Sequence, residues 1–315
     1  MPYGKTNGIV FCSDVQQREG IMDTVDLGSA GDVRQRLSAH GYLPDDHIAG
    51  TVHLAAALGK PILVEGPAGT GKTELAKSVA AITDARLIRL QCYEGLDESR
   101  ALYEWDYRKQ LLAIQAARGD EGSDNKGSGT DAGVFDEKFL LTRPLLEAIR
   151  AEDRVVLLVD EVDRLDIETE ALLLEILSDF QVSIPELGTV VATQRPLVYL
   201  TSNNTRDLSE ALKRRCLYLH VGYPDAARER DIVLSKVPGI TEQLAGQVTA
   251  VVESLRSMNL KKKPSISETL DWARTLVLLG TDDVDVQTVV SHLHVLLKYQ
   301  SDIESATAEL QSAHA

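Results

Sequence analysis

The sequence predicts an α/β fold: a parallel sheet flanked by helices, followed by a region that is helical only. Up to about residue 224, short apolar runs alternate with helical segments. This is the order that builds parallel strands with crossover helices. From Asp225 onward the periodicity is helical throughout, with breaks at Pro238–Gly239, Lys263–Pro264 and Gly280.

The first elements follow from hydrophobic spacing and chain breakers. Residues 1–30 show no sustained period and contain scattered glycines, so we expect little order there, and Met22 is an alternative start. Further on, helical spacing predicts helices and apolar or alternating runs predict strands. The expected elements are helices over Asp32–His40, Asp45–Leu58 and Glu74–Ala81, and strands over Pro61–Glu65 and Arg86–Leu90.

The middle of the chain is interrupted by a polar stretch. Arg118–Gly133 is rich in Gly, Ser, Asp and Asn, which is typical of a flexible surface loop. We expect a helix over Phe135–Arg150, bent or restarted at Pro144. The continuous apolar run Val155–Val159 predicts a central parallel strand covered on both faces. The remaining predictions are an amphipathic helix over Glu168–Phe180, a hairpin over Val182–Ala192 and a strand over Val198–Ser202.

The most specific motif is the glycine-rich stretch between the first strand and the helix after it. Residues 66–73 read GPAGTGKT and fit the pattern G-x-x-x-x-G-K-[ST]. The glycines let the backbone curl so that its N–H groups and the helix N-terminus face phosphates. Lys72 is predicted to reach the β- and γ-phosphates, and the Thr73 hydroxyl to ligate Mg²⁺. The expected nucleotide-binding residues are Gly66, Pro67, Ala68, Gly69, Thr70, Gly71, Lys72, Thr73 and Glu74.

An acidic pair follows the predicted central strand. Asp160 is predicted to hold Mg²⁺ through its water shell, and Glu161 to polarise the water that attacks the γ-phosphate. Such a pair can also be a solvated strand end. Together with the phosphate loop, it predicts hydrolysis of a nucleoside triphosphate.

Two further polar groups lie near predicted strand and helix ends. Thr201–Asn204 places an amide where it could contact the γ-phosphate or the attacking water, although Asn-Asn after a strand is usually a turn. Leu212–Cys216 ends a short helix with two adjacent arginines. These are either a solvated helix end or residues that reach the nucleotide of a neighbouring subunit.

The order of these elements resembles that of AAA+ ATPases, and more narrowly the MoxR branch. The resemblance covers roughly residues 35–300. Three stretches are similar to the CoxD-type proteins that accompany aerobic carbon monoxide dehydrogenases and related molybdenum hydroxylases: Tyr93–Asp97, Leu102–Tyr107 and Leu177–Thr189.

This resemblance implies roles for individual residues. Asn203 matches the first sensor, Arg215 the arginine that acts in trans, with Arg214 as the reserve candidate, and Gln91 a polar residue that restrains Glu161. The resemblance further implies an insertion at about residues 93–115 and a hairpin at about 182–192, which would meet client proteins. Tyr103, Trp105 and Tyr107 could form part of that contact or pack in the core.

One departure from the family pattern concerns the second sensor. The stretch Pro264–Thr269 lacks the arginine that MoxR-like proteins usually have there. Arg274, two turns further on, and the run Lys261–Lys263 are the alternatives.

The resemblance implies a three-part chain: residues 1–30, an AAA+ α/β nucleotide-binding core over 31–224, and an all-α lid domain over 225–315. It implies Mg²⁺-dependent ATP hydrolysis in a homo-oligomeric ring, expected to be a hexamer. An arginine that acts in trans also favours a closed ring, because every head-to-tail interface is then satisfied. The implied partners are a protein with a von Willebrand factor A domain and a client metalloenzyme such as carbon monoxide dehydrogenase. ATP over GTP rests on the resemblance alone.

Alternatives stay open at this point. The client could be another enzyme, of the Rubisco or methanol dehydrogenase type, or the protein could be a nucleotide-gated scaffold with little turnover. A nucleic-acid motor or GTP-dependent restriction subunit is disfavoured by the net charge of −15. No apolar run approaches the ~18 residues of a membrane span, and we expect a cytoplasmic protein.

Overall fold

The computed structural model describes residues 25–119 and 135–312. The part of the N-terminal segment before residue 25 and residues 120–133 of the predicted loop therefore lie outside the described residues, whereas residues 118 and 119 of that loop end a helix. Within the N-terminal segment, Val25 and Leu27 are buried against the core, and the first helix begins at Ala30.

Nine strands are present among the described residues, and five of them form one parallel sheet. The strands are β1 (Ile62–Glu65), β2 (Arg86–Gln91), β3 (Tyr103–Trp105), β4 (Leu140–Thr142), β5 (Val155–Asp160), β6 (Gln181–Ile184), β7 (Gly188–Val191), β8 (Leu197–Ser202) and β9 (Leu217–His220). The parallel sheet has the order β2-β5-β8-β1-β9, and β3 with β4 and β6 with β7 form separate antiparallel pairs. The predicted α/β fold class is thus confirmed.

The helices surround this sheet and make up the C-terminal region. Along the described chain they are α1 (Ala30–Ala39), α2 (Asp46–Leu58), α3 (Lys72–Ile82), α4 (Glu98–Ala101), α5 (Tyr107–Gly119), α6 (Pro144–Arg150), α7 (Ile167–Asp179), α8 (Glu210–Lys213), α9 (Ala226–Lys236), α10 (Glu242–Ser257), α11 (Ile266–Leu278), α12 (Val286–Leu296) and α13 (Gln300–Ser312). Within the described ranges, no helix combines the length and the apolar character needed to cross a membrane.

The central strand β5 shows why the sheet is covered on both faces. All six of its residues are buried. Val155, Leu157 and Val159 pack in one apolar cluster, whereas Val156 and Leu158 pack in another. Since side chains alternate across a strand, the two clusters lie on opposite faces of the sheet. The C-terminal helices have a third cluster of their own, which includes the fully buried Trp272.

The prediction of one helix over Phe135–Arg150 is wrong. A short 3₁₀ turn covers Glu137–Phe139, and β4 follows it and pairs with β3. The cause is tertiary: Leu140 faces Trp105 across this pair, and both are buried. The predicted restart at Pro144 is confirmed, since α6 begins at this residue. A proline is well suited to the first position of a helix.

Two further features were not predicted from the sequence. The short edge strand β9 pairs with β1 through Leu217–His220, and four residues give too little alternation to be recognised. The C-terminal helices are also interrupted between α12 and α13, where no glycine or proline marks the break.

Truncation of the central strand should destabilise the protein strongly. Leu157 is 0% exposed, so we expect Leu157→Ala to lower the free energy of unfolding by about 2–5 kcal/mol through lost burial and a cavity. The same substitution at Leu278, which is 86% exposed, should change it by less than about 0.5 kcal/mol. Denaturant unfolding of both variants checks this expectation, and equal effects would contradict it.

Candidate active site

The sheet order brings the predicted site residues to one edge. In the parallel sheet β8 lies between β1 and β5, so the carboxyl ends of these three strands are neighbours. The loop after β1 carries the GPAGTGKT motif, β5 ends at Asp160, and Asn203 follows β8. The structure therefore brings the three motifs together, at the edge where ligands of open parallel sheets bind.

The phosphate loop has a backbone that only glycine allows at two positions. A Cβ atom on Gly66 would lie 2.0 Å from the carbonyl oxygen of Val221. Gly69 has a φ of +75°, and a Cβ atom there would lie 2.2 Å from Ser265 Oγ, at the start of α11. The loop thus forms a tight cradle, and α3 begins directly at Lys72 with its N-terminus toward the loop.

The Lys72 side chain is buried and lies along the phosphate loop. Its Nζ donates to the carbonyl oxygens of Gly66 at 2.8 Å and Pro67 at 2.7 Å. An ammonium group has three N–H donors, so one is left for a phosphate oxygen. Burial lowers the pKa of Lys72, while the charges of Asp163 and Asp160 oppose this change.

A cavity of about 310 Å³ lies beside the loop and contains most of the predicted site residues. These are Ala68, Gly69, Gly71, Lys72, Thr73, Glu74, Asp160, Glu161 and Asn203. Gly66 and Pro67 accept hydrogen bonds from Lys72 through their carbonyl oxygens, and Thr70 lines an adjacent cavity. Lys77, Arg89, Thr201 and Ser267 also line the cavity.

Asp160 has the surroundings expected of a residue that helps to hold Mg²⁺. Its Oδ1 accepts hydrogen bonds from the hydroxyl groups of Thr73 at 2.9 Å and Thr201 at 2.5 Å. Its Oδ2 accepts from Nε and Nη2 of Arg89 at 3.0 Å and 2.5 Å. A hydroxyl and a carboxylate next to a phosphate cradle are oxygen donors that suit Mg²⁺, which uses few protein ligands and keeps several waters.

Glu161 is held in a specific orientation by three side chains. Gln91 Nε2 donates to its Oε2 at 3.3 Å, Asn203 Nδ2 to its Oε1 at 3.3 Å, and Arg164 Nε lies 3.2 Å from Oε2. Its backbone has a φ of +60°, which is unusual for a residue other than glycine. Such strain often accompanies a functional residue. The hydrogen bond from Gln91 is the predicted contact between Gln91 and Glu161.

Asp163 fixes the loop that carries Asn203. Its carboxylate accepts hydrogen bonds from the backbone N–H groups of Asn203 at 3.2 Å and Thr205 at 3.0 Å, and from the Thr205 hydroxyl at 2.6 Å. Burial alone would raise the pKa of Asp163, but these hydrogen bonds lower it below its ordinary value. The carboxylate thus stays ionised and keeps Asn203 beside Glu161.

A second cavity of about 300 Å³ adjoins the first along the phosphate loop. Its walls come from the segment before α2, the phosphate loop, α9 and α11, and both cavities share Gly69, Gly71, Glu74 and Ser267. Apolar groups such as Tyr42, Leu43 and Leu270 line it. This cavity has the size and the position to receive the base and sugar of a nucleotide whose phosphates lie in the first cavity.

The candidates for the second sensor lie away from the phosphate cavity. Arg274 lines the second cavity and donates to Asp271 at 3.1 Å. Lys262 pairs with Glu268 at 3.3 Å, and the Lys261 ammonium lies over the Tyr299 ring. Along the described chain, Ser267 is the residue of the C-terminal helices that lines the phosphate cavity.

The two arginines of the predicted trans contact have different surroundings. Arg214 is 80% exposed and lies 4.0 Å from Glu210. Arg215 is partly buried and is tied to its own chain, since it contacts the Ser178 hydroxyl and donates to the Ala211 carbonyl oxygen at 2.9 Å. Among the described residues, neither arginine lines the two nucleotide cavities.

Several residues of the site had no predicted role. Thr201 lies in a stretch singled out for Asn203, and its position at a strand end is the signal that could have identified it. Arg89 points from β2 toward Asp160, but an arginine within an alternating strand is usually solvated. Asp163 and Arg164 follow the acidic pair closely, and the sequence does not indicate that Arg164 faces back to Glu161.

A glycine-rich phosphate cradle, oxygen ligands for Mg²⁺ and an oriented carboxylate define a P-loop nucleoside triphosphatase. The family model described as "ATPase family associated with various cellular activities (AAA)" matches residues 62–221. This match covers just over half of the chain, so the chain belongs to that family. It is an ATPase, with ATP as its nucleotide and Mg²⁺ as the metal ion.

Two proteins and one solved structure show what this chain is similar to at low sequence identity. An uncharacterized protein of Staphylococcus aureus is 26% identical over 227 residues, which are 70% of this chain and 76% of that protein. An uncharacterized protein of Staphylococcus haemolyticus is 26% identical over 230 residues, which are 71% of this chain and 78% of that protein. The Thermotoga maritima RuvB Holliday junction branch migration motor is 16% identical, with a TM-score of 0.43 over 86% of this chain and 70% of that chain.

The narrow fit at Gly69 predicts a selective loss of nucleotide binding. We expect Gly69→Ala to weaken the binding of an ATP analogue by about tenfold or more, because the positive φ and the contact with Ser265 both oppose a Cβ atom. As a control, Gly246→Ala in α10 meets no atom within 4 Å and should leave binding unchanged. Equilibrium titration of both variants checks this expectation. Undiminished binding by Gly69→Ala would contradict the proposed cradle.

Proposed function

We propose that this chain hydrolyses ATP in a ring-shaped homo-oligomer, expected to be a hexamer, and uses the energy to remodel or mature a client enzyme. The proposal of a ring rests on the location of Arg214 and Arg215. The chain supplies a phosphate loop, a metal-holding carboxylate and an oriented glutamate in one cavity, whereas Arg214 and Arg215 lie outside it. In phosphoryl-transfer sites such an arginine can be supplied by another chain, and we propose that a neighbouring subunit supplies it here.

Arg214 is the better candidate for that contact. Its guanidinium is exposed, and its ion pair with Glu210, one turn earlier, is long. An exposed pair of this kind contributes little free energy, so the side chain is free to reach a neighbour. Arg215 would first have to leave Ser178 and Ala211. We therefore propose Arg214 as the trans residue and Arg215 as a residue that fixes the end of α8.

The remaining residues divide the chemical work. Glu161 accepts the proton of the attacking water, and Asn203 keeps both the carboxylate and that water in line. Lys72 offers its remaining N–H to the phosphate oxygens. When bound at Thr73 and Asp160, Mg²⁺ neutralises negative charge on the phosphates. The neighbour's arginine supplies the last positive charge where charge develops in the transition state.

The two antiparallel pairs outside the main sheet favour a protein client. They extend the core at β3–β4 and β6–β7 and carry or adjoin exposed apolar residues, including Tyr107, Leu187 and Val191. Such residues are typical of contact surfaces. The MoxR and CoxD resemblance adds a finer proposal: a cytoplasmic chaperone that acts with a von Willebrand factor A domain protein on a molybdenum hydroxylase such as carbon monoxide dehydrogenase. A client of the Rubisco or methanol dehydrogenase type is the alternative, and co-purification from the native host would distinguish them.

The role of Glu161 is tested by removing its charge while keeping its shape. We expect Glu161→Gln to bind ATP as tightly as the natural chain and to lower the turnover rate by at least about 100-fold, because the general base is lost. Glu309→Gln, an exposed change on α13, serves as the matched control. Steady-state phosphate release and nucleotide titration measure the two effects. An unchanged rate in Glu161→Gln would refute the assignment.

The trans arginine is tested by mixing two inactive variants. Arg214→Ala retains Glu161, and Glu161→Gln retains Arg214, so each assembly alone should hydrolyse little ATP. Equal mixing should create complete sites at about a quarter of the interfaces and restore activity accordingly. Co-assembly is verified with differently tagged subunits. Absence of recovery in verified mixed assemblies would contradict action in trans, and recovery with Arg215→Ala only would assign the role to Arg215.

A further inference from the structure

The Asp160 carboxylate has hydrogen bonds at all of its acceptor positions. A carboxylate offers about four lone-pair sites, two on each oxygen. The Thr73 and Thr201 hydroxyl groups occupy Oδ1, and Nε and Nη2 of Arg89 occupy Oδ2. The Asp160 side chain is only 5% exposed. A magnesium-bound water can therefore reach this carboxylate only if one of the present donors leaves it.

Arg89 is the donor that can leave. Thr201 is buried in β8, and its hydroxyl also accepts from the Glu161 backbone N–H at 2.9 Å. Thr73 can donate to Asp160 and still offer its oxygen to the metal. The Arg89 side chain, in contrast, is 48% exposed on the wall of the phosphate cavity. It can move into solvent or toward a phosphate without breaking the sheet.

Arg89 and Mg²⁺ also compete by charge. Both are cations, and both would be attracted to the same nearly buried Asp160 carboxylate. Gln91 holds the guanidinium in this position, since its Oε1 accepts a hydrogen bond from Arg89 Nη2. The same Gln91 side chain donates to Glu161. Arg89 is thus hydrogen-bonded to two residues of the site, Asp160 and Gln91.

We infer that Arg89 is a positioning residue that competes with Mg²⁺ for Asp160 and raises the Mg²⁺ concentration needed to load the site. The pair keeps the Asp160 charge compensated in the absence of metal. Loading with the Mg²⁺–nucleotide complex displaces the guanidinium from Oδ2. The inference concerns metal loading and does not depend on the ring, the client or the catalytic role of Glu161.

The test is a magnesium titration of nucleotide binding in the full chain. A fluorescent, non-hydrolysable ATP analogue is kept at constant concentration and ionic strength while Mg²⁺ is varied. Arg89→Gln removes the charge and should lower the half-saturating Mg²⁺ concentration about fivefold, which corresponds to about 1 kcal/mol for a half-exposed ion pair. Arg89→Lys keeps a charge but loses the double contact, and should give an intermediate value.

The matched control is Arg86→Gln on the same strand. Arg86 is also ion-paired, with Glu147 and Asp153, but lies outside the phosphate cavity. The half-saturating Mg²⁺ concentration of the Arg86→Gln variant should therefore equal that of the natural chain. An unchanged value in Arg89→Gln would overturn the inference. A raised value would also overturn it, because Arg89 would then support loading. If Arg89→Gln does not fold, Arg89→Lys decides by the same criterion.

Discussion

The hydrogen bond between Thr73 and Asp160 is the contact on which the rest of the site depends. These residues are 87 positions apart in the chain and meet at 2.9 Å. They meet because β8 lies between β1 and β5 in a parallel sheet, and Thr201 of β8 donates to the same carboxylate oxygen. A different strand order would separate the phosphate loop from the acidic pair along this edge, and reversal of one of the two strands would place them at opposite edges of the sheet.

Compensation of charge is the second constraint on this site. The chain carries a net charge of −15, and the carboxylates of Glu74, Asp160 and Glu161 line the phosphate cavity itself. Lys72, Lys77 and Arg89 line the same cavity. Because exposed charges more than about 10 Å away are screened by salt, these local cations decide whether a polyphosphate binds, and the net charge does not. The acidic surface and an ATP site are therefore compatible.

The sequence predicted the nucleotide chemistry well because its motifs are local. The GPAGTGKT loop needs a strand before it and a helix after it, and both can be read from neighbouring residues. The strand β5 is recognisable from its continuous apolar run. In contrast, the pairing of β3 with β4 depends on contacts between residues distant in sequence, so Leu140–Thr142 appeared helical.

Contacts between side chains on neighbouring strands were the least predictable feature of the site. The placement of Arg89 on Asp160 follows from the register of β2 against β5, in which Gln91 is opposite Asp160. No residue near Arg89 in the sequence indicates this register. The arginine pair shows the same limit: its spacing indicates two adjacent cations, but only the structure distinguishes the exposed Arg214 from the tethered Arg215.

We propose that one chain supplies the phosphate loop, the metal-holding carboxylate and the oriented glutamate, and that a neighbouring chain supplies the arginine that completes the site. A dilution series tests this claim most directly, with ATP hydrolysis per subunit measured alongside the mass of the assembly by sedimentation. The rate per subunit should rise with assembly and fall toward zero for dissociated chains that still bind ATP. An equal rate per subunit for single chains and assemblies would contradict the claim.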